Sequence, residues 1–284
     1  MATIITDLKE TFRRGNIYIQ LIYINVAVFI LTTLTEVMFQ LFNRSIAGVF
    51  EWLELPASVI RFILQPWSLL TYMFMHAGFM HILFNMLWLY WFGALFLSFF
   101  SAKHLRGVYI LGGICGGLLY MAAYNIFPYF RPMTDYSFML GASASVLAIV
   151  AATAYREPNY PIRLKLVIGT DLLFITSSNA GGHIAHLGGA LAGVWFAASL
   201  SKGSDLTSWI NKCLDTLVSI VNFKPRKPKM KVHYGTGKQK DYDYNARKKA
   251  QSDEIDRILD KLKKSGYESL TTEEKKSLFD ASKR

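Results

Sequence analysis

Two short strings in the sequence place a serine and a histidine at the starts of two apolar segments. Ser143 belongs to the string GASA at residues 141–144, and His186 belongs to the string AHLGGALAG at residues 185–193. A serine hydroxyl is a weak nucleophile until a neighbouring base takes its proton, and histidine is the usual base because its unperturbed pKa is close to neutral. The two residues are therefore candidates for cleaving a peptide bond, with Ser143 attacking and His186 carrying the proton.

A second pair of polar residues has the chemistry to stabilise the charge that this reaction creates. Peptide cleavage forms an oxyanion, and the loss of one hydrogen-bond donor aimed at it costs about 2.7 to 4 kcal/mol of transition-state stabilisation. His81 and Asn85 are four residues apart, so they lie on one face of a helix. We predict that His81, Asn85 and the backbone amide of Ser143 hold the oxyanion.

The distribution of charge predicts the elements that position these residues. Only 18% of the 284 residues are charged and 52% are hydrophobic, which is too few charges for an ordinary soluble domain. A helix that crosses a bilayer needs about 20 mostly apolar residues, and the uncharged gaps are long enough. We predict an all-α polytopic membrane protein with six transmembrane helices at residues 17–38, 77–100, 107–127, 138–155, 160–177 and 185–201.

The fifth predicted span differs from the others because it carries charged residues. Lys165 lies near its start and Asp171 lies inside it. An acid at membrane depth is costly unless it faces protein or water. Two interpretations of Asp171 therefore stay open, a functional acid in the interior and an acid at a helix end.

Basic residues in the short loops predict the orientation of the bundle. Cytoplasmic loops carry an excess of lysine and arginine, and six spans with both termini in the cytoplasm satisfy this rule. The only basic residues in the outer loops are then Arg44, Arg61 and Arg131. Because no organelle-targeting feature is visible, we expect an integral protein of the bacterial inner membrane.

Composition divides the rest of the chain. The net charge is +11, and residues 223–284 hold 18 Lys/Arg against 10 Asp/Glu, so the tail carries most of it. The apolar and aromatic first outer loop is expected to lie in the membrane interface. The predicted segments are a cytoplasmic N-terminus at 1–14, the membrane domain at 15–201, an interfacial amphipathic helix at 202–222, a basic flexible linker at 223–252 and a small helical cytoplasmic segment at 253–284.

Small residues predict close packing between the fourth and sixth spans. Gly189 and Gly193 form a GxxxG face on the sixth span, and Gly141 lies at the start of the fourth. Helices without side-chain bulk at their interface can bring their backbones close together. We expect this packing to carry His186 toward Ser143.

Four histidines near the predicted site raise the alternative of a bound metal. They are His76, His81, His183 and His186. No carboxylate follows at the spacing of an HExxH metalloprotease motif and no thiolate is near in sequence, so neither a metal nor another cofactor is expected. The roles of His76 and His183 stay open between lining a wet cavity, assisting the oxyanion and a structural position.

The strings together resemble the rhomboid family of intramembrane serine proteases. The resemblance covers about residues 15–201 and rests on three strings in order: HxxxN from His81 to Asn85, GxSx from Gly141, and AHxxGxxxG from Ala185 to Gly193. It implies a six-helix fold and a serine–histidine dyad with no third acid. It also implies cleavage of single-span membrane proteins at helix-destabilised sites with small residues.

Three positions depart from the pattern of the family. The family often has Trp-Arg in the first loop, where this chain has Trp67-Ser68. Many members have glycine after the nucleophile and an aromatic residue four positions beyond it, where this chain has Ala144 and Leu147. Because of these differences, a contact in the first loop and the packing of an aromatic ring on His186 are in question. None of the differences removes a reacting group.

The sequence therefore predicts an intramembrane serine endopeptidase with a Ser143/His186 dyad. The alternative is a catalytically silent rhomboid-like protein that binds membrane helices without cutting them, and a transporter fits poorly because only Asp171 is a candidate buried charge. The expected partners are single-span membrane protein substrates and the lipid bilayer. The basic tail is either an anionic-lipid contact or a solvated linker, and nucleic acid is not expected as a partner.

Overall fold

The computed structural model describes residues 15–158, 180–221 and 238–282, together with residue 6 and residues 10–12. The chain forms two compact units, Met1–Phe223 and Lys224–Arg284. The elements of the first unit are α1 (Ile17–Leu41), α2 (Ala47–Phe50), β1 (Leu55–Pro56), α3 (Val59–Leu64), α4 (Ser68–Thr71), α5 (Phe79–Phe96), α6 (Ala102–Ile126), β2 (Phe138–Met139), α7 (Ser143–Arg156), α8 (Ala180–Ser201) and α9 (Ser208–Val221).

Four of the described helices are long and apolar enough to cross a membrane, namely α1, α5, α6 and α8. They coincide with the first, second, third and sixth predicted spans. Helix α7 lies in the fourth predicted span and is shorter, with 14 residues. The fifth predicted span at 160–177, with Asp171, lies outside the described residues, so the structure supports a helical membrane protein without testing the count of six.

The start of the fourth helix differs from the sequence prediction. Residues 138 and 139 are not helical, because β2 pairs antiparallel with β1 and places Leu55 opposite Met139. Helix α7 therefore begins only at Ser143, which puts Ser143 at the first helical position rather than inside the helix. A strand pair between distant segments is not visible in the local hydrophobic pattern.

Helix α7 forms the centre of the bundle. Every residue from Ala144 to Ala154 is buried, and the helix packs against α8, α6 and α5. Most of these residues are small, so the surrounding helices can approach on all sides. Helix α1 packs against α5 and α6 and exposes much of its apolar surface.

Helix α9 is attached to the start of α6 by polar contacts. The Arg106 guanidinium donates to Asn211 Oδ1 at 2.7 Å and to Asp215 Oδ1 at 2.6 Å, and Asn211 Nδ2 donates to the carbonyl of Lys103 at 3.1 Å. The helix lies within the predicted amphipathic segment 202–222, and Trp209 and Leu217 remain exposed on it. Its location in a membrane interface stays a prediction.

The second unit is a helical hairpin of α10 (Lys238–Ser265) and α11 (Thr272–Ser282). The turn uses Gly266 at φ +74°, and a capping box starts α11, because the Thr271 amide donates to Glu274 Oε2 at 2.8 Å. Because α10 begins at Lys238, the prediction of a flexible linker is wrong for residues 238–252. These residues include alanine, arginine, lysine and glutamine, which favour helices despite their low apolar content.

Candidate active site

The structure brings Ser143 and His186 together. Ser143 Oγ lies 2.6 Å from His186 Nε2, which is a short hydrogen bond. Ser143 is the first residue of α7, and His186 lies in the second turn of α8, because α8 begins at Ala180 and not at residue 185. Both side chains are half-buried, so water and a substrate can reach them.

Glycines on α8 allow the close approach of the two helices. A Cβ on Gly189 would collide with the carbonyl oxygen of Ala144, and a Cβ on Gly193 would collide with that of Ala148. The GxxxG face of α8 therefore lies directly on the backbone of α7. This backbone contact sets the short distance between the imidazole of His186 and the hydroxyl of Ser143.

Gly141 has a different role from the helix packing that the sequence suggested. It lies in the segment before α7 with φ +131°, a backbone conformation that favours glycine. A Cβ at this position would lie 2.9 Å from His81 Nε2 and 3.8 Å from Ser143 Oγ. The missing side chain thus leaves a space that the ring of His81 and the hydroxyl of Ser143 both border.

The hydrogen bonds of His81 indicate which ring nitrogen carries its proton. The backbone amide of Ala77 donates to His81 Nδ1 at 3.4 Å. In a neutral imidazole one nitrogen accepts and the other donates, so Nε2 carries the hydrogen. His81 Nε2 is the atom that faces the space beside Gly141, where it is available as a donor.

Asn85 makes a different contact. Its Nδ2 donates to the His81 carbonyl at 2.9 Å within α5, and the side chain is buried. One of the two hydrogens of the Asn85 side-chain amide is thus used inside its own helix, and the other is available for a further hydrogen bond. Within the described residues the structure gives Asn85 no hydrogen bond to Ser143 or His186.

The backbone amide of Ser143 lies at the amino end of α7. The first amides of a helix have no partner within the helix, and the helix dipole is positive at this end. The first intrahelical bond near it runs from the Val146 amide to the Ala142 carbonyl at 2.9 Å. The Ser143 amide is therefore in a position that favours a developing negative charge.

Two further histidines pack on the rings of the site. His183 meets His186 edge to face at 5.6 Å between ring centroids, and His76 meets His81 at 5.1 Å. Both His183 and His76 are buried. An aromatic ring that packs on His186 is therefore present, although Leu147 occupies the position where the family often has one. In the described part of the chain no cluster of three metal-ligating side chains occurs.

A buried polar network that the sequence analysis did not single out supports the segment before α7. The amide of Gly141 donates to the Tyr72 carbonyl at 2.9 Å, and the Tyr72 hydroxyl donates to the carbonyl of Gly113 on α6 at 2.6 Å. The neighbouring Tyr109 hydroxyl lies 3.2 Å from the carbonyl of Met73 and 3.1 Å from Asn25 Nδ2 on α1. The polar Asn25 within an apolar span was the available signal for this network.

The fold and the site together define a polytopic helical membrane protein that carries a serine–histidine pair at the start of a central helix. Comparison with known proteins agrees with this class. The family model of the rhomboid domain matches residues 64–203, and that of a family of unknown function, DUF6576, matches residues 238–284. The chain therefore carries a rhomboid domain at residues 64–203.

A curated protein also matches part of the chain. RHOMBOID-like protein 12, mitochondrial, of Arabidopsis thaliana is 31% identical over 157 residues, which cover 48% of this chain and 47% of that protein. The chain therefore spans about half the length of the curated relative that it matches.

Proposed function

We propose that this protein is an intramembrane serine endopeptidase in which Ser143 is the nucleophile and His186 is the general base. The hydrogen bond of 2.6 Å between Ser143 Oγ and His186 Nε2 is the observation that carries the proposal. When Nε2 accepts this bond, the hydrogen of the neutral ring is on Nδ1. The dyad is thus ready to transfer the hydroxyl proton when a carbonyl carbon comes within reach.

The first half of the proposed reaction forms an acyl-enzyme. Ser143 Oγ attacks the carbonyl carbon of the substrate while His186 Nε2 takes the hydroxyl proton. The carbonyl oxygen becomes an oxyanion, for which His81 Nε2–H and the Ser143 amide are the proposed donors. His186 then gives its proton to the leaving amine as the carbon–nitrogen bond breaks.

The second half releases the product. A water molecule loses a proton to His186 Nε2 and attacks the acyl carbon, and the same donors hold the second oxyanion. The bond to Ser143 Oγ then breaks, and His186 returns the proton to the serine. Asn85 belongs to this proposal as a third donor through the amide hydrogen that its bond to His81 leaves over.

The proposed substrates are single-span membrane proteins, as the family resemblance implies. Peptide bonds inside a helix are hydrogen-bonded and shielded, so cleavage requires local unwinding, which glycine and proline ease. The outer loops and the amino end of α7 would face the outer leaflet if both termini are cytoplasmic. The bacterial inner membrane remains the proposed location.

The basic tail is proposed to contact anionic lipid. Lysine and arginine near a charged leaflet each add about 1 kcal/mol of attraction. Binding of residues 223–284 to liposomes should increase with the phosphatidylglycerol content of the liposomes. Binding that is independent of this content would favour a solvated tail.

The decisive experiment is cleavage of a model single-span substrate by purified protein in liposomes. We expect Ser143→Ala and His186→Ala each to lower turnover by about 10³-fold or more. Ser145→Ala is a matched control, because Ser145 lies on the same helix, is buried, and its hydroxyl has no hydrogen-bond partner among the described residues. Cleavage at the wild-type rate by either dyad variant would refute the mechanism.

The same experiment separates the protease from a silent binding protein. If no form of the protein yields product while the substrate still co-purifies with it, the chain captures membrane helices without cutting them. The reacting groups Ser143, His186 and His81 would then have to serve binding alone.

A further inference from the structure

A cavity lies at the end of the bundle opposite the dyad. Its volume is about 450 Å³. Helix α7 runs from Ser143 to Arg156, and its 14 residues span about 20 Å at a rise of about 1.5 Å per residue. The lining comes from the ends of α5, α7 and α8 and the start of α6: Leu97, Ser98, Phe99, Phe100, Ser101, His104, Arg156, Ala197, Leu200 and Ser201. The cavity is therefore separate from the candidate active site.

One side of the cavity offers a cation and hydroxyl donors. Arg156 ends α7 and is exposed, and no carboxylate in the described part of the chain lies within salt-bridge distance of it. Arg106, near the start of α6, is by contrast bound by Asp215 and Asn211. Three serines line this side, Ser98, Ser101 and Ser201. Because the Ser201 hydroxyl already donates to the Ala198 carbonyl at 2.8 Å, the available hydroxyl donors are those of Ser98 and Ser101.

Other charged and polar groups around the cavity already have partners. His104 Nε2 lies 3.7 Å from Asp205 Oδ2, while His104 Nδ1 is buried and makes no hydrogen bond to any residue in the described ranges. The Ser101 hydroxyl accepts from the His104 amide at 3.2 Å and caps the start of α6, and its own hydrogen remains available. Asp205 is thus engaged with His104 and not with Arg156.

The remaining wall is apolar. Leu97, Phe99, Phe100 and Leu200 line it, and the Phe100 ring packs on Phe196 at 5.5 Å between centroids. A free inorganic anion would leave this wall in contact with water. A molecule with an anionic head and a hydrocarbon chain would cover both the wall and the cationic side.

We propose that this cavity binds the phosphate head of an anionic phospholipid from the adjacent leaflet. The Arg156 guanidinium holds the phosphate, since its planar fork matches phosphate oxygens, and the hydroxyls of Ser98 and Ser101 add hydrogen bonds. One acyl chain lies along Leu97, Phe100 and Leu200. The exposed apolar surfaces of α5 and α8 continue the wall toward the lipid, so the ligand does not need to leave the membrane. The proposal does not depend on proteolytic activity.

Native mass spectrometry of the full chain, titrated with lipid in detergent, tests this site. We expect one phosphatidylglycerol to bind more tightly than phosphatidylcholine. Arg156→Gln should weaken phosphatidylglycerol binding about tenfold or more, because one charge-assisted contact is lost. Arg131→Gln is the matched control, since Arg131 is an exposed arginine in the loop at the other end of the bundle.

A second variant and a competitor complete the test. Ser98→Trp fills the cavity without removing a charge and should also abolish the tight site, while the basic tail stays intact in every variant. Inorganic phosphate at equal concentration should not displace the lipid. Equal affinity of the wild type and Arg156→Gln for phosphatidylglycerol would overturn the proposal, and so would equal binding of phosphatidylcholine and phosphatidylglycerol. Displacement of the lipid by inorganic phosphate would also overturn it, because it would indicate a site for the head group alone.

Discussion

At the scale of single residues, the geometry of the candidate site depends on the empty space beside the Cα of Gly141. His81 Nε2 and Ser143 Oγ both border it, and the positive φ of Gly141 directs the chain into α7. A substrate carbonyl oxygen in this space would meet the His81 donor and lie close to the amide of Ser143. The proposed reaction therefore requires that position 141 carry no side chain.

Gly141→Ala should therefore inactivate the protein without unfolding it. The added Cβ displaces His81 or the chain before Ser143, and the loss of one oxyanion donor lowers turnover by about 10²- to 10³-fold. Gly78→Ala is the control, because a Cβ there meets nothing within 4 Å and φ is extended at 177°. Steady-state cleavage of a reconstituted substrate measures both variants, and similar activities would show that the space beside Gly141 does not matter.

His183 is expected to position the base through its ring. Edge-to-face aromatic pairs contribute about 0.5 to 1.5 kcal/mol, so His183→Ala should lower kcat about threefold to tenfold with little change in KM. His183→Phe keeps a ring at the position and should restore most of the rate. A phenylalanine variant as slow as the alanine variant would instead assign the effect to a ring nitrogen.

At the scale of elements, the contact between α7 and α8 determines whether the dyad forms. The two helices pack backbone to backbone at Gly189 and Gly193. Gly189→Ala should lower stability by about 1 to 3 kcal/mol, because the helices must separate, and it should reduce cleavage further by moving His186 from Ser143. Thermal unfolding in detergent measures the first effect. Gly48→Ala, where a Cβ meets nothing within 4 Å, should leave Tm unchanged, and an equal Tm for both variants would contradict the packing argument.

Local patterns in the sequence predicted much of this architecture. Apolar length located α1, α5, α6 and α8, because this feature depends on near neighbours in the chain. The pairing of β2 with β1 was missed, since residues 55 and 139 are far apart in the chain. The position of Gly141 beside His81 was missed for the same reason.

At the scale of the whole molecule, the membrane unit and the C-terminal hairpin have separate sources of stability. The membrane unit is held by apolar helices around α7, whereas α10 and α11 are rich in charged residues. In the hairpin, Lys261 Nζ lies 2.8 Å from Glu274 Oε2, and the Thr271 amide donates to the same oxygen. Buried Ile258 and Leu270 supply its small apolar core.

The hairpin should lose stability in acid through Glu274. Hydrogen bonds from Lys261 and then from the Thr271 amide lower the pKa of its carboxyl group from 4.5 to about 2. A lowered pKa means that the stabilisation is present above about pH 4.5 and is lost as the pH falls toward 2. Chemical shifts of residues 238–282 in the full chain should report this loss. Glu274→Gln should remove the pH response in that window and Glu273→Gln should keep it, and identical responses of the two variants would contradict the assignment.

The central claim is that His186 activates Ser143 as a nucleophile, and labelling with a fluorophosphonate probe tests it most directly. Such a probe forms a covalent bond only with an activated serine, and peptide mass spectrometry identifies the modified residue. The account predicts one adduct on Ser143 in the wild type and none in His186→Ala. An adduct on another serine, or efficient substrate cleavage by protein whose Ser143 stays unlabelled, would contradict it.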